Sequence, residues 1–184
     1  MGKLADSLDK AVQGAFTRPV PKSAGAQMRY LVKQLKGTRA VADALGVSQR
    51  TVERYVKGQL KRPRRDLAAR MEREVRQRWQ PRIRAWAKQQ AATTGGIVID
   101  TRARFGYTAA PGSTDDARLR HLTQALPPQY AARLFDAQEQ GATEQQLLDI
   151  TAEGLQEIYF KDHGRRAQGL LVEFTDIDHI DVEL

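Results

Sequence analysis

Two adjacent hydroxyls, those of Ser113 and Thr114, lie in the stretch YTAAPGSTDDARL, just past the middle of the chain. A neutral Ser or Thr hydroxyl is a weak nucleophile, and nothing nearby in the sequence is an obvious base. Asp115 and Asp116 follow directly. Because Ser and Thr are preferred N-caps and acidic residues favour the positive end of a helix dipole, the local sequence predicts a capped helix over residues 115–125.

The charge of the chain is divided unevenly along its length. Residues 1–105 contain 24 Lys and Arg against 8 Asp and Glu, whereas residues 106–184 contain 6 against 14. Such asymmetry is typical of a polyanion-binding half joined to a different module. Nucleic acid is the expected ligand of the basic half, because no apolar face accompanies the charge as binding to a membrane surface would require.

Composition excludes several classes of site. The chain has no cysteine, which excludes disulfides, thiolate chemistry and a zinc ribbon. Its three histidines, His121, His163 and His179, are far apart in sequence and lack metal-ligand spacing, so no metal site is expected. There is no apolar stretch near the ~20 residues that span a membrane and no signal-peptide core, which favours a cytoplasmic location.

The stretch TRAVADALGVSQRTVERYVKG, residues 38–58, has the pattern of a helix-turn-helix. Gly46 permits a left-handed turn between two helices, and Ser48 can cap the second one. A plain helical hairpin is the alternative, but residues 22–88 contain 19 Lys and Arg against 5 Asp and Glu, which favours DNA binding. The apolar residues expected to pack the two helices together are Val41, Leu45, Val47, Val52 and Tyr55, with the small Ala42 where the helices touch.

The residues expected to contact DNA form two groups. Side chains on the free face of the second helix would meet base edges in the major groove, where Arg can pair with guanine and Gln with adenine through two hydrogen bonds. Side chains in the basic run that follows would lie along the phosphates. The first group is Gln49, Arg50, Thr51, Glu53, Arg54 and Lys57, and the second is Lys61, Arg62, Arg64 and Arg65.

The remaining elements follow from apolar periodicity. Amphipathic helices are predicted near the N-terminus and from AQMRYLVKQLKG through residue 60, followed by a long helix that Pro81 should break or kink. Residues 97–108 alternate and begin with β-branched side chains, which predicts a strand. Further helices are predicted over 128–140 and 143–162. The C-terminal GLLVEFTDIDHIDVEL alternates again and is expected to pair with the first strand as a small sheet.

These elements predict a mainly α fold in two domains. The first, residues 1–92, would be a basic helical DNA-binding domain that contains the helix-turn-helix. The second, residues 93–184, would be a smaller acidic α+β domain with a short sheet, and its acidic surface would be a poor ligand for DNA.

Long stretches of the chain resemble the telomere terminal proteins (Tpg) of linear actinomycete chromosomes and plasmids, and the resemblance covers essentially the whole chain. It rests on FTRPVPKSAGAQMRYLVKQLKGTRAVADALGVSQRTVERYV, DLAARMEREVRQRWQPRIRA, TRARFGYTAAPGSTDDARLR, PPQYAARLFDAQ and TAEGLQEIYF. The resemblance implies a protein that is linked covalently to DNA 5′ ends and supplies a hydroxyl as primer for end-patching synthesis. It implies Thr114, directly before the acidic pair, as the nucleotide acceptor, while Ser113 leaves an alternative one residue away.

A protein of this kind is a substrate of a DNA polymerase rather than an enzyme. Activation of the hydroxyl would come from the polymerase's Mg ions, with no cofactor bound by the protein itself. The resemblance implies as partners telomeric DNA, duplex or with a single-stranded 3′ overhang, the polymerase and a larger telomere-associated protein, all at replicon ends in the nucleoid. The acidic half is the expected docking surface. Asp115 and Asp116 would either begin a helix or orient the hydroxyl or a metal.

Two other functions stay open. A transcriptional regulator would combine the same helix-turn-helix with an acidic effector domain, bind palindromic half-sites and leave Thr114 unmodified. A nicking or joining enzyme would use Tyr107 as its nucleophile. Such enzymes usually supply a histidine-containing cluster, and His121 has no companion nearby in the sequence.

Overall fold

The computed structural model describes residues 2–108, 118–161, 163, 165 and 170–184. This part of the chain is mainly helical and contains a small three-stranded antiparallel sheet, which agrees with the predicted α-rich composition. Two compact units are present. We call Thr17–Pro81 the basic unit, and Met1–Phe16 with Arg82–Leu184 the sheet unit. None of the described helices is long and apolar enough to cross a membrane.

The basic unit is formed by four helices that share one apolar core. They are α2 (Ala24–Gln34), α3 (Thr38–Leu45), α4 (Gln49–Val56) and α5 (Arg65–Arg78). Each helix contributes the apolar side chains that recur at three- and four-residue spacing, as expected for amphipathic helices. The fully or almost fully buried members are Met28, Leu31, Val41, Ala42, Leu45, Val52, Tyr55, Met71 and Val75, and Val47 packs against them partly buried.

A break between α5 and the next helix occurs where the sequence predicts one. α5 ends at Arg78 and α6 begins at Pro81 (Pro81–Gln90), with Gln80 between them at a φ of 45°. Proline lacks the N–H that a continuous helix would need, but it fits a first helical position, where that N–H has no partner. The single long helix predicted here is therefore two helices.

The sheet unit contains three strands and the remaining helices. Strand order is β2-β1-β3, and both neighbouring pairs are antiparallel. The central strand β1 thus has a hydrogen-bonding partner along each edge. The elements in chain order are α1 (Lys3–Gly14), α6, a π-helical turn (Ala91–Gly95), β1 (Ile97–Thr108), β2 (Arg118–Leu126), α7 (Pro128–Glu139), α8 (Glu144–Leu155), a second π-helical turn (Gln156–Phe160) and β3 (Leu171–Glu183).

Three predictions for this unit are confirmed and one is wrong. The strand at 97–108, the two helices after Pro127 and the pairing of the C-terminal strand with β1 are all present. Residues 118–125, predicted as part of a helix at 115–125, belong instead to β2. Leu122 and Leu126 are buried four residues apart, a spacing that fits both a helical stripe and one face of a strand. The pairing of these residues with β1 shows that they form a strand.

The division into units differs from the boundary predicted at residue 92. Helix α1 belongs to the sheet unit, where Leu4, Leu8 and Val12 are fully buried in the core. Ser7 also donates a hydrogen bond from Oγ to Asp181 and accepts one from the Val182 amide at 2.8 Å. Charge along the sequence marks the basic segment, but it does not reveal that the neutral first helix packs elsewhere.

The turn into β1 allows a sharp test of this packing. Gly96 has a φ of 71° and a ψ of −155°, and a Cβ there would lie 2.2 Å from the carbonyl oxygen of Leu126. We expect Gly96→Ala to destabilise the sheet unit by about 3 kcal/mol or more, because strain and a backbone clash combine. Thermal melting followed by circular dichroism measures the change.

Gly14 provides the matched control. It is a helical residue of α1 with open space around its missing Cβ. Gly14→Ala should leave stability unchanged or raise it by at most about 1 kcal/mol, because alanine favours the helix. Equal melting temperatures for the two variants would contradict the described geometry at Gly96.

Candidate nucleic-acid interface

Helices α3 and α4 are joined by a short turn whose geometry follows from its residues. Gly46 adopts the left-handed conformation with φ 61° and ψ 43°, which costs glycine little. The Val47 amide donates to the Ala42 carbonyl at 3.0 Å, which closes the end of α3. Ser48 then accepts a hydrogen bond from the Thr51 amide at 3.2 Å and caps α4. The predicted turn and cap are therefore present.

One side of α4 is fixed against the core, and this determines which side chains face solvent. Val52 is fully buried and Tyr55 is 4% exposed, whereas Arg50, Arg54 and Lys57 are exposed. Among the described residues, these three cations have no carboxylate within ion-pair distance. The predicted contact face of α4 thus presents positively charged side chains that are available to an external anion.

Two of the predicted contact residues on α4 are less accessible than the cations. Thr51 and Glu53 are half-buried. The Thr51 hydroxyl lies 2.9 Å from the Ser48 hydroxyl, so it forms part of the helix cap. Glu53 instead accepts a hydrogen bond from Gln49 at 3.0 Å, one turn earlier on α4. Both side chains are therefore less available for contact with DNA than their positions on the helix suggest.

Gln49 also contacts a residue that sequence reasoning missed. Its Nε2 donates to the Thr38 hydroxyl at 3.0 Å as well as to Glu53. Thr38 is the first residue of α3, eleven positions earlier, and its contact with Gln49 requires the crossing of the two helices. The only feature of the sequence that could have indicated this contact is a residue with a hydroxyl group at the start of the helix before the turn. That feature is a weak signal by itself.

The second group of predicted contacts follows α4 directly. The amides of Gln59 and Leu60 both donate to the Arg54 carbonyl, at 2.9 and 3.3 Å, so the chain turns tightly at the end of α4. The basic run begins immediately after this turn and reaches the start of α5. Its four predicted contact residues, Lys61, Arg62, Arg64 and Arg65, are all exposed.

Charge in the basic unit is largely uncompensated. The unit contains 17 Lys and Arg against 5 Asp and Glu, a net charge of +12. Ion pairs between its residues, all of which the structure describes, are limited to Arg76–Glu72 and Arg78–Glu74 on α5. The other cations therefore contribute to a positive field that favours a polyanion, the main source of affinity in nucleic-acid binding.

The proposed acceptor Thr114 lies outside the described residues, together with Ser113, Asp115 and Asp116. The flanking strands β1 and β2 are described, and they pair antiparallel from Ile97 opposite Leu126 to Phe105 opposite Arg118. Residues 118–125 belong to a strand, so the helix predicted over 115–125 is not formed in this described part.

The sheet unit brings together side chains that are distant in sequence. His121 and His179 both pair opposite Arg102, one from each neighbouring strand. Their Nε2 atoms lie 3.2 and 3.6 Å from Oδ1 of Asp100, and Thr123 donates to Oδ2 at 2.6 Å. The Thr123 hydrogen bond, followed by that of His121, lowers the pKa of the Asp100 carboxyl.

This cluster lies away from the backbone of Tyr107, the candidate nucleophile of a nicking enzyme. Tyr107 pairs opposite Val172, five residues along β1 from Arg102, which corresponds to roughly 17 Å along a strand. The two histidines therefore lie far from the backbone of the candidate nucleophile. Within the described part of the chain, no group of three His, Asp or Glu side chains is arranged to hold a metal ion.

Comparison of the chain with protein-family models, curated proteins and solved structures found no match.

The basic unit is expected to fold without the rest of the chain. Its core is closed within Thr17–Pro81, and its first residues are anchored to its last, since Trp79 and Gln80 donate to the Arg18 carbonyl at 3.0 and 3.2 Å. A fragment of residues 17–81 should show cooperative thermal unfolding by circular dichroism.

A fragment of residues 1–92 is the informative control. It retains α1 but lacks the strands and helices against which Leu4, Leu8 and Val12 are buried. We expect it to bind the dye ANS more strongly than the 17–81 fragment, because apolar surface is exposed. A 17–81 fragment that lacks a cooperative transition would contradict the division into units.

Proposed function

We propose that the protein is a terminal protein of a linear replicon. On this proposal it binds telomeric DNA through a helix-turn-helix formed by α3 and α4, and the Thr114 hydroxyl becomes linked to the DNA 5′ end. The observation that supports the proposal most directly is the exposed, unpaired cationic face of α4 within a unit of net charge +12. The resemblance to the terminal proteins supplies the priming role.

The DNA-binding part is supported by how α4 is held. A recognition helix needs one face in the core and the opposite face free to enter the major groove. Burial of Val52 and Tyr55 meets the first requirement, and exposure of Arg50 and Arg54 meets the second. Lys61, Arg62, Arg64 and Arg65 would then contact phosphates beside the groove, with a contribution that depends on salt but not on sequence.

The priming part is supported by the position of Thr114 in the chain. The connection between two paired strands is a suitable place for a hydroxyl that has to enter another protein's active site. The Thr114 oxygen would attack the α-phosphorus of a nucleoside triphosphate, form a phosphoester and release pyrophosphate, while its proton passes to solvent or the polymerase. Metal ions of the polymerase would stabilise the attacking and leaving oxygens.

A transcriptional regulator with the same DNA-binding helices is the alternative function. It would bind DNA reversibly and leave Thr114 free. The two functions are distinguished by whether the protein isolated from cells stays attached to DNA after boiling in detergent. A covalent link survives this treatment and a non-covalent complex does not. Loss of all DNA after boiling would favour the regulator.

Substitutions on α4 and in the basic run should have different effects on binding. Arg54→Ala should weaken binding to a preferred duplex by roughly 1–3 kcal/mol and reduce discrimination between sequences, because a base contact is lost. Arg64→Ala should weaken binding to all duplexes alike, because a phosphate contact is lost. The slope of the logarithm of the binding constant against the logarithm of the salt concentration should decrease in magnitude by about one. Fluorescence anisotropy at several salt concentrations measures both effects. Identical behaviour of the two variants would contradict the placement of α4 in the groove.

Thr114→Ala should abolish covalent nucleotide attachment without changing DNA affinity. The variant removes the acceptor oxygen, and position 114 lies outside the basic unit that is proposed to bind DNA. Thr114→Ser should retain partial attachment, and Ser113→Ala, the matched control, should retain nearly all. The assay is incorporation of a labelled nucleotide by an extract containing polymerase and telomeric template, followed by a denaturing gel. A band of wild-type strength from Thr114→Ala would make Ser113 the next candidate.

A further inference from the structure

The side-chain amide of Gln49 forms hydrogen bonds within the protein that limit which bases it can recognise. Its Nε2 carries two hydrogens, and it has two acceptors, the Thr38 hydroxyl and the Glu53 carboxylate, each at 3.0 Å. Because an ionised carboxylate only accepts hydrogen bonds, the atom facing Glu53 has to be the nitrogen. This contact fixes the orientation of the amide, and both donor hydrogens are used within the protein.

What Gln49 can offer to DNA is therefore its oxygen alone. Gln49 is exposed, and Oε1 has no hydrogen-bond donor among the described residues. The Glu53 carboxylate adds further acceptor capacity on the same turn of α4, and no described cation lies within ion-pair distance of it. The start of α4 thus presents acceptors from Gln49 and Glu53 beside donors from Arg50 and Arg54.

The internal hydrogen bonds should persist when α4 lies against DNA. Water is displaced from a groove contact, and a carboxylate that loses its donors there is strongly destabilised. The Gln49 amide is the donor that Glu53 already has within its own helix, one turn away. Releasing Gln49 for a base contact would leave Glu53 without a donor next to a polyanion.

An acceptor-only group discriminates strongly among the four bases. In the major groove guanine presents two acceptors, thymine an acceptor and a methyl group, and adenine an acceptor beside its amino donor. Cytosine presents its N4 amino donor and no acceptor. Adenine would need a donor for N7, which Gln49 no longer has, and its N7 would face the Glu53 carboxylate. Cytosine is the base whose edge fits without repulsion.

We propose that Gln49 and Glu53 together select cytosine in the major groove, with Thr38 as a positioning residue, while the neighbouring arginines contact guanine. This inference rests on the proposed DNA-binding role of α4. It names the class of target, a site containing G·C pairs beneath the start of α4. It also replaces the expectation that Gln49 pairs with adenine through two hydrogen bonds.

The experiment uses the full chain and a library of randomised DNA duplexes from which preferred sequences are selected. The position contacted by Gln49 is the one at which Gln49→Ala weakens base preference most. Four duplexes that differ only at that position are then compared by anisotropy. Wild-type protein should prefer cytosine over adenine by about tenfold, as expected from one charge-assisted hydrogen bond.

Glu53→Ala is the decisive variant. It frees one Nε2 hydrogen of Gln49, which then offers a donor and an acceptor together, so the preference at this position should change from cytosine to adenine. Thr38→Ala should shift the ratio of affinities for the cytosine and adenine duplexes toward adenine by a smaller factor. Thr38→Ser should restore the wild-type ratio. Arg54→Ala is the matched control. It should reduce the preference for guanine at another position and leave the preference for cytosine at this position unchanged.

The outcomes separate this inference from the proposed function. Wild-type preference for adenine at this position, or an unchanged cytosine preference in Glu53→Ala, overturns it. Salt-dependent binding to every duplex without any selected sequence also overturns it and leaves DNA binding by the basic unit in place. Absence of binding to any duplex overturns both. A change in overall affinity of Glu53→Ala is expected from its lost negative charge, so the cytosine-to-adenine ratio is the quantity that decides.

Discussion

Burial of Val52 and Tyr55 beneath α4 is the interaction on which the properties of the basic unit depend. These side chains hold α4 against the apolar core, so the opposite face has to be exposed. The turn at Gly46 and the cap at Ser48 set where α4 begins. Together they bring Gln49 next to Thr38 and leave Arg50 and Arg54 free. A change in the rotation of α4 would bury cations that have no carboxylate partner, at a large cost in solvation.

The sheet unit is organised around its central strand. Ile99, Ala103 and Phe105 are fully buried on one face of β1, which pairs with β2 along one edge and with β3 along the other. The pairing of β1 with β2 ends at Phe105 opposite Arg118, and Thr114 lies between these two residues in the chain. The two units therefore suit two tasks in the proposed function, DNA binding in one and presentation of a hydroxyl in the other.

Much of the basic unit was predictable from sequence because its signals are local. Gly46, Ser48 and the apolar residues of 38–58 specify two short helices and a turn, and the structure has them there. The partner of Gln49 was not predictable, because its contact with Thr38 depends on how two helices cross. The orientation of an amide is decided by such a contact and not by the type of residue.

The sheet unit was harder to predict because its signals are non-local. The strand at 97–108 was evident from β-branched alternation, but the spacing of Leu122 and Leu126 fits both a helix and a strand. The proximity of His121 to His179 likewise follows from pairing on both sides of Arg102. Charge counting could not assign α1, whose place depends on three buried side chains, Leu4, Leu8 and Val12.

In the proposed function, the Thr114 hydroxyl forms a covalent bond to the DNA 5′ end. Peptide mass spectrometry of the protein isolated from cells and digested with nuclease tests it most directly. We expect the peptide containing Thr114 to retain a residual deoxynucleotide, with fragment ions that assign the phosphoester to that oxygen. An unmodified Thr114 peptide in protein recovered from DNA ends, or a nucleotide on another residue, would contradict covalent attachment at Thr114.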